Sequence, residues 1–489
     1  MSRLRINVRF ALGITAALFT GAGDAYTLGS GTEYHVKKTG NDTTGTGTDA
    51  LPFLTIKRGL EAATTAGDIV TAHASAPTTE TLYAEVGNYV VSDTTYAAVL
   101  RVLGSGTADN RNTLRANPGD EGYVVIDCGS TKGGIDFNFE DHFQLYGIRF
   151  RNVVHSAIYA PDNENLNLDI TQHSTGCLIE NNYIEDCTDP TASYAVNSAP
   201  MRVFGLKDST IRNNKVRSTD IYTHGIMTYG WNNVIVEFND VDVILQAIYQ
   251  KGFWYPTAST GSVDGAEIRF NKLKAVDAIR IEGASSLAAP AGLNWIHNNI
   301  LIPTTGYALF YNLRDALQQS KRLRLNNNTV YSTTSGSFAD IACSNDIESY
   351  GNIAANCSTI YRIRGSETNT SGNDTFLKES DYNVFEWSDT YFGIMDLYDA
   401  AQEDFTGVSA FTNWKAQTQA LTATGSLKVD NPDTNSLTDT TANLFIDLVD
   451  FKNKTGSNAI GLLTNGDNAG CWENAGVTYV GLNASYSAG

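Results

Sequence analysis

Two basic side chains stand on strand-like runs in the middle of the chain: Lys251 in LQAIYQKGF and Arg280 in DAIRIEG, with Asn271 between them. If those runs lie side by side, the two cations come within about 5 Å along the stacking direction and concentrate positive charge beside any anionic group placed there. A hydrolytic alternative needs two carboxylates at a defined separation. Asp240, Asp242, Asp277 and Glu282 are candidates, but in a chain with 53 acidic residues some pair always fits by number alone. His224, in THGIMTYGW, is a candidate base or a turn residue. Tyr229 and Trp231 in one loop, and Trp254 and Tyr255 in the insertion after Lys251, offer rings on which sugar faces stack, with Asp277 and Glu282 as polar neighbours for hydroxyls. The same rings serve equally well as core cover or as packing for a second subunit.

Other chemistries find no motif. There is no GxSxG element, P-loop or HExxH. No Cys/His group has metal-ligand spacing, so no metal site is expected. Cys128, Cys177, Cys187, Cys343, Cys357 and Cys471 are expected as small buried apolar side chains.

What must position the candidates is an internal repeat, apolar-x-x-Asn-x-apolar. It occurs as Ile179–Asn182–Ile184, Ile211–Asn214–Val216, Val236–Asn239–Val241, Ile268–Asn271–Leu273, Ile296–Asn299–Leu301 and Leu325–Asn328–Val330. A degenerate copy, Leu145–Ile148–Phe150, precedes these, and another ends at Asn352. Periods of this order mean a solenoid. Three short parallel strands per coil would send the apolar pairs inward and put each Asn at a sharp corner. There it is expected to take up a left-handed backbone and stack its amide on the Asn one rung away. The uneven spacing predicts loops of different length projecting from one side. Phe53, Ile56, Leu60 and Ala63 mark one face of a short helix over the open end of the stack. A helical segment near Phe411–Gln419 falls in a less regular closing region. The expected organisation is an N-terminal segment 1–33, a solenoid with its cap over 34–380, and the end of the solenoid with a C-terminal cap over 381–489.

The chain carries 34 basic and 53 acidic residues, a net charge of −19. Nucleic acid is therefore not an expected partner, because backbone binding needs clustered Lys and Arg. An acidic polymer is disfavoured too, unless a local basic patch overrides the average. In the N-terminal segment Arg3, Arg5 and Arg9 precede an apolar run from Phe10 to Ala22, and Gly23-Asp24-Ala25 resembles a cleavage site. That run is too short to span a membrane. Leu4, Ile6, Val8 and Phe10 alternate strictly with polar residues, which favours a retained strand.

These features together resemble the right-handed parallel β-helix proteins of the pectate-lyase-like superfamily over about residues 34–470. The resemblance rests on YHVKKTGND, PFLTIKRGLEAATTAGDIV, the Asn-Asn corners and SDYNVF. It implies an all-β, right-handed parallel β-helix solenoid with an N-terminal capping helix and an irregular C-terminal cap. The superfamily includes polysaccharide lyases, glycosidases, esterases, epimerases and trimeric bacteriophage tailspikes, so the fold leaves the chemistry open. Lys251 and Arg280 resemble the pair in chondroitinase-B-like and alginate-type lyases. There the Lys acts as base and the Arg as acid in removing a uronic-acid proton next to a carboxylate. Those lyases place a carboxylate ligand for calcium shortly before the Lys, where this chain has Gln246. No cofactor is expected, with calcium only if the chain is a lyase.

Two functional readings follow, with a third beside them. The first is a virion-associated, glycan-binding protein of tailspike or head-fibre type, recognising or also degrading host surface polysaccharide. It would be a homotrimer on the virion surface, held to other virion proteins through the N-terminal segment. The second is a secreted polysaccharide lyase acting by β-elimination. The third is a structural β-helix without catalysis.

Overall fold

The computed structural model describes residues 28–90, 97–161, 173–188, 198–221, 223–251, 265–283, 294–313, 323–342, 347–364, 377–387, 391–396, 403–406, 409–416, 418–420, 427–430, 433, 435–441, 477–480 and 483–486. The N-terminal segment 1–25, Trp254, Tyr255, Cys343 and Cys471 lie outside them.

Apolar residues at matching places in successive repeats pair in register, and that pairing builds the molecule. Ile179, Ile211, Val236, Ile268, Ile296 and Leu325 are consecutive parallel partners in one sheet. Ile184, Val216, Val241, Leu273, Leu301 and Val330 are consecutive partners in a second. A third sheet closes each coil, with strands such as Gln246–Gln250, Asp277–Gly283 and Tyr307–Leu313. The chain thus visits first, second and third sheet in turn and climbs one rung per visit, which makes it a parallel β-helix. All twelve residues are buried to within 1% of full burial, so each rung adds its apolar residues to one continuous core.

The corner between first and second sheet carries the polar spine. Backbone N–H and side-chain Nδ2 of Asn182 both donate to Oδ1 of Asn214, each at 3.0 Å. The pattern passes to Asn239, Asn271, Asn299, Asn328, Asn352 and Asn383. Each Nδ2 also donates to a main-chain carbonyl, as from Asn214 to Ile179 at 2.8 Å. These buried amides therefore leave no proton idle.

The left-handed residue of the corner is not the ladder Asn, as the repeat suggested, but the residue before it. Asn181, Asn213, Phe238, Phe270, Asn298 and Asn327 have φ between 54° and 57°. Placing the bend one residue earlier frees the ladder Asn to aim its amide along the stack, and Asn tolerates the left-handed conformation best among side chains. Where Phe238 and Phe270 take that position, their rings lie nearly parallel with centroids 5.1 Å apart.

Both ends are covered. The helix Ile56–Ala62 starts at Thr55, whose hydroxyl accepts the Arg58 N–H, and it buries Ile56, Gly59 and Leu60. Phe53 and Ala63 are buried beside it but lie outside the helix. At the other end the helix Ala410–Lys415 buries Trp414, and Gln419 belongs not to that helix but to the strand Thr418–Ala420. Trp414 stacks on Tyr361 with centroids 5.3 Å apart and donates Nε1–H to Asp433 at 2.8 Å. Asp433 also receives Asn383 Nδ2, so it terminates the Asn ladder. Cys128, Cys177, Cys187 and Cys357 are buried and form no disulfide among the described residues. Among the described residues no helix is long and apolar enough to cross a membrane.

Candidate functional site

The third sheet gathers most of the described candidates. Strand register sets Arg202, Met227, Tyr249, Arg280, Phe310, Asp340 and Arg362 in one row across seven rungs. Beyond this sheet the chain runs into the stretches 252–264, 284–293, 314–322, 343–346 and 365–376 before the next rung begins.

Lys251 follows the strand Gln246–Gln250 directly and is half-buried. Its backbone N–H donates to Thr228 at 2.8 Å, and its Nζ lies 5.6 Å from the Tyr229 ring centroid. Burial pulls the ammonium below the usual lysine range; the charge of Glu282 opposes that shift and Arg202 adds to it. Arg280, on the next rung, is held on three sides. Nη1 is 3.2 Å from Asp277 Oδ2, Nη2 is 2.5 Å from Glu282 Oε1, and the guanidinium lies 4.4 Å from the Phe310 ring centroid. Burial works against its charge, but the hydrogen bond and charge of Glu282, with Asp277, outweigh it and raise its pKa. The two cations thus share a rung step, yet the charge of Arg280 is already matched by two carboxylates.

Several candidates stand elsewhere than expected. Trp231 is not in an exposed loop: it lies in the strand Gly230–Glu237, is 2% exposed, and donates Nε1–H to the Val203 carbonyl at 3.2 Å. Its indole fills the core, which outweighs any surface role. Asp277 is also buried rather than presented to solvent. Its oxygens accept from Gln246 Nε2 at 3.1 Å, Arg280 and the Tyr307 N–H at 2.9 Å. Gln246, where a calcium-binding carboxylate was sought, therefore orients Asp277. Glu282 is half-buried between Arg280 and the Tyr249 hydroxyl, which donates to it at 2.7 Å. His224 is buried with its ring 4.8 Å from that of Tyr249. Asp240 and Asp242 do not share this face: they lie in the second sheet, paired with Arg217 and Lys274. Tyr229 is half-buried edge-on to Phe204 at 4.3 Å.

The sheet also presents groups that motif reading did not single out. Arg202 is fully buried between the rings of Phe204 and Tyr159, 4.2 and 5.2 Å from their centroids, and within 2.9 Å of His155 Nδ1. Asp340 is buried beside Arg364 at 2.7 Å and Arg362 at 3.9 Å; burial raises its pKa against the pull of Arg364. Counting on from each ladder Asn to the third strand of its rung would have found this row. On the third-sheet strands from Met201 to Arg364, with Lys251, the charged residues are Arg202, Lys251, Arg280, Arg362 and Arg364 against Asp277, Glu282 and Asp340. Positive charge is in local surplus on a chain whose net charge is −19.

Residues 133–316 match the family described as "Right handed beta helix region". No match is found among curated protein sequences. Similar solved structures include PfbA, a surface adhesin of Streptococcus pneumoniae, at 8% identity over 76% of this chain and 88% of that one, TM-score 0.46. A rhamnogalacturonan lyase is 14% identical over 82% and 96%, TM-score 0.42. The mannuronan C-5 epimerase AlgE4 A-module of Azotobacter vinelandii is 12% identical over 70% and 86%, TM-score 0.42.

Proposed function

We propose, from the premise that the chain is a right-handed parallel β-helix, that it binds a carboxylate-bearing polysaccharide along its third sheet. The observation that carries this reading is the local surplus of Arg and Lys on this sheet, where Lys251, Arg280, Arg362 and Arg364 are half-buried rather than buried and Phe310 stands between Arg280 and Asp340 in register. Arg280 and Arg362 stand three rungs apart in register, roughly 15 Å at about 5 Å per rung, a spacing that suits the recurring carboxylates of an anionic chain laid along the stack, with the half-buried Phe310 ring beside Arg280 for a sugar face. Affinity electrophoresis through gels containing uronic-acid polysaccharides tests it. Retardation that fades with added salt supports the reading, and unretarded migration in every such gel sinks it.

A second reading, β-elimination, is favoured by one observation: burial lowers the pKa of Lys251, the direction a general base requires. It predicts a rise in ultraviolet absorbance from unsaturated sugar ends, abolished by Lys251→Ala. Binding without any such product leaves the first reading alone. The finer setting, a trimeric attachment fibre on a virion, is proposed on the alternation of Leu4, Ile6, Val8 and Phe10 with polar residues. A monomer mass by light scattering at micromolar concentration, or a natively produced chain beginning at Tyr26, would overturn it.

A further inference from the structure

At the start of the first sheet, the first two rungs bring together three side chains that no local spacing connects. His35 lies in the strand Glu33–Val36, and His73 directly follows the neighbouring parallel strand Ile69–Ala72. Asp49 sits in the connection between Lys37 and Phe53. That connection is pinned to the first strand: the His35 N–H donates to Gly47 at 2.7 Å, the Phe53 N–H to His35 at 3.0 Å, and the Lys37 N–H to Phe53 at 2.9 Å. Backbone hydrogen bonds, rather than chance side-chain reach, therefore deliver the carboxylate to the imidazoles.

We propose that His35, His73 and Asp49 form a binding site for a divalent transition-metal ion of the zinc class. One ligand atom from each residue lies within 4.8 Å of the other two. His35 Nδ1 is 2.9 Å from His73 Nε2 and 3.7 Å from Asp49 Oδ1. Tetrahedral zinc with metal–nitrogen bonds near 2.0–2.1 Å holds its ligand atoms about 3.3 Å apart, so the two separations fall on either side of the value needed. Two imidazoles and a carboxylate are ligands of this class, with a further position left for solvent. Metal binding needs neutral imidazoles.

Lys37 is the competitor. Its Nζ lies 2.6 Å from the same Asp49 Oδ1 that faces His35. The ammonium stands at the carboxylate that a metal ion would share, so the ion must displace it. This makes the proposal testable in both directions. Untagged full-length protein is titrated with zinc chloride by isothermal calorimetry near neutral pH, with each variant's melting temperature measured without zinc to establish that it folds. Wild type should take up one ion per chain. His35→Ala and His73→Ala should each weaken binding by at least about tenfold, and Lys37→Met should tighten it. The absence of saturable zinc uptake by wild type, equal affinity in either folded histidine variant, or a Lys37→Met variant no tighter than wild type would each overturn the site.

Discussion

Asn239 gives two protons to one atom: its backbone N–H and its Nδ2 each lie 3.0 Å from Oδ1 of Asn271. Its own Oδ1 receives the same pair from Asn214, and its Nδ2 further serves the carbonyls of Ile211 and Glu237. Asn239→Ala strands two buried donors of Asn214 and takes one donor from each of the carbonyls of Ile211 and Glu237. It should cost at least about 2 kcal/mol, read from the urea unfolding midpoint. Asn239→Asp should be no better, since a carboxylate supplies no proton for Asn271 and adds buried charge. Wild-type stability in both variants would deny the ladder its structural weight.

The ladder's last acceptor makes a second prediction. Asp433 Oδ1 receives Asn383 Nδ2 and Ser436 Oγ, while Oδ2 receives Trp414 Nε1 and Ser380 Oγ. Each oxygen faces one N–H that can only donate. In Asp433→Asn the new amide must turn its NH2 against one of them, leaving a buried donor facing a donor. A loss of about 2–3 kcal/mol is expected, together with changed near-ultraviolet dichroism from Trp414. A variant as stable as wild type would show that this cap does not bear on the last rung.

On the third sheet, charge should govern binding in a graded way. Arg362 has 41% of its side chain exposed, so Arg362→Ala should remove an accessible cation and weaken retention by an acidic polysaccharide roughly threefold to tenfold. Glu282→Gln removes a negative charge and releases Arg280 from one of its two carboxylates, so it should strengthen retention. Opposite signs in these two variants are the result required, and a shift of the same sign in both would contradict charge recognition.

The first sheet supplies a pH test. Glu267 Oε1 accepts from His297 Nε2 at 2.8 Å and from Arg269 Nη1 at 2.7 Å. The hydrogen bond from His297 and the charge of Arg269 outweigh burial and hold the carboxyl below its usual value of 4.5. A carboxyl lowered on folding contributes stability that is present above its unfolded value and lost as the pH falls through the folded one. Glu267→Gln should therefore be less stable than wild type at neutral pH and converge with it on acidification below about 4.5. A constant difference across that range, measured by thermal melts, would exclude the linkage.

The repeat made the solenoid legible because stacking demands the same residue at the same place in every rung. Ile211 and Val236 announce themselves as partners through Asn214 and Asn239. The corner's left-handed residue was harder to read: Asn213-Asn214 offers two Asn residues, and only the direction of the amide decides which one bends. Trp231 was misread because a large aromatic near a Gly resembles a surface loop, whereas the strand Gly230–Glu237 begins early enough to turn it inward. Arg280 and Glu282 share a strand face by simple alternation, and their pairing was available to counting. His35 and His73 were not, because their meeting depends on the length of a whole coil rather than on any local spacing.

Asp433 and Ser436 have a consequence for assembly. A stack of identical rungs has no intrinsic length; here the last rung is paired by the strands Leu427–Asp430, Leu437–Thr438 and Glu403–Thr406, which leaves the protons of Asn383 to be accepted. By accepting those protons with side chains from the closing region, the chain supplies its own stop to end-on polymerisation. Without that stop, the growing edge of one molecule would template the first rung of the next, and a single coil would become the seed of a fibre.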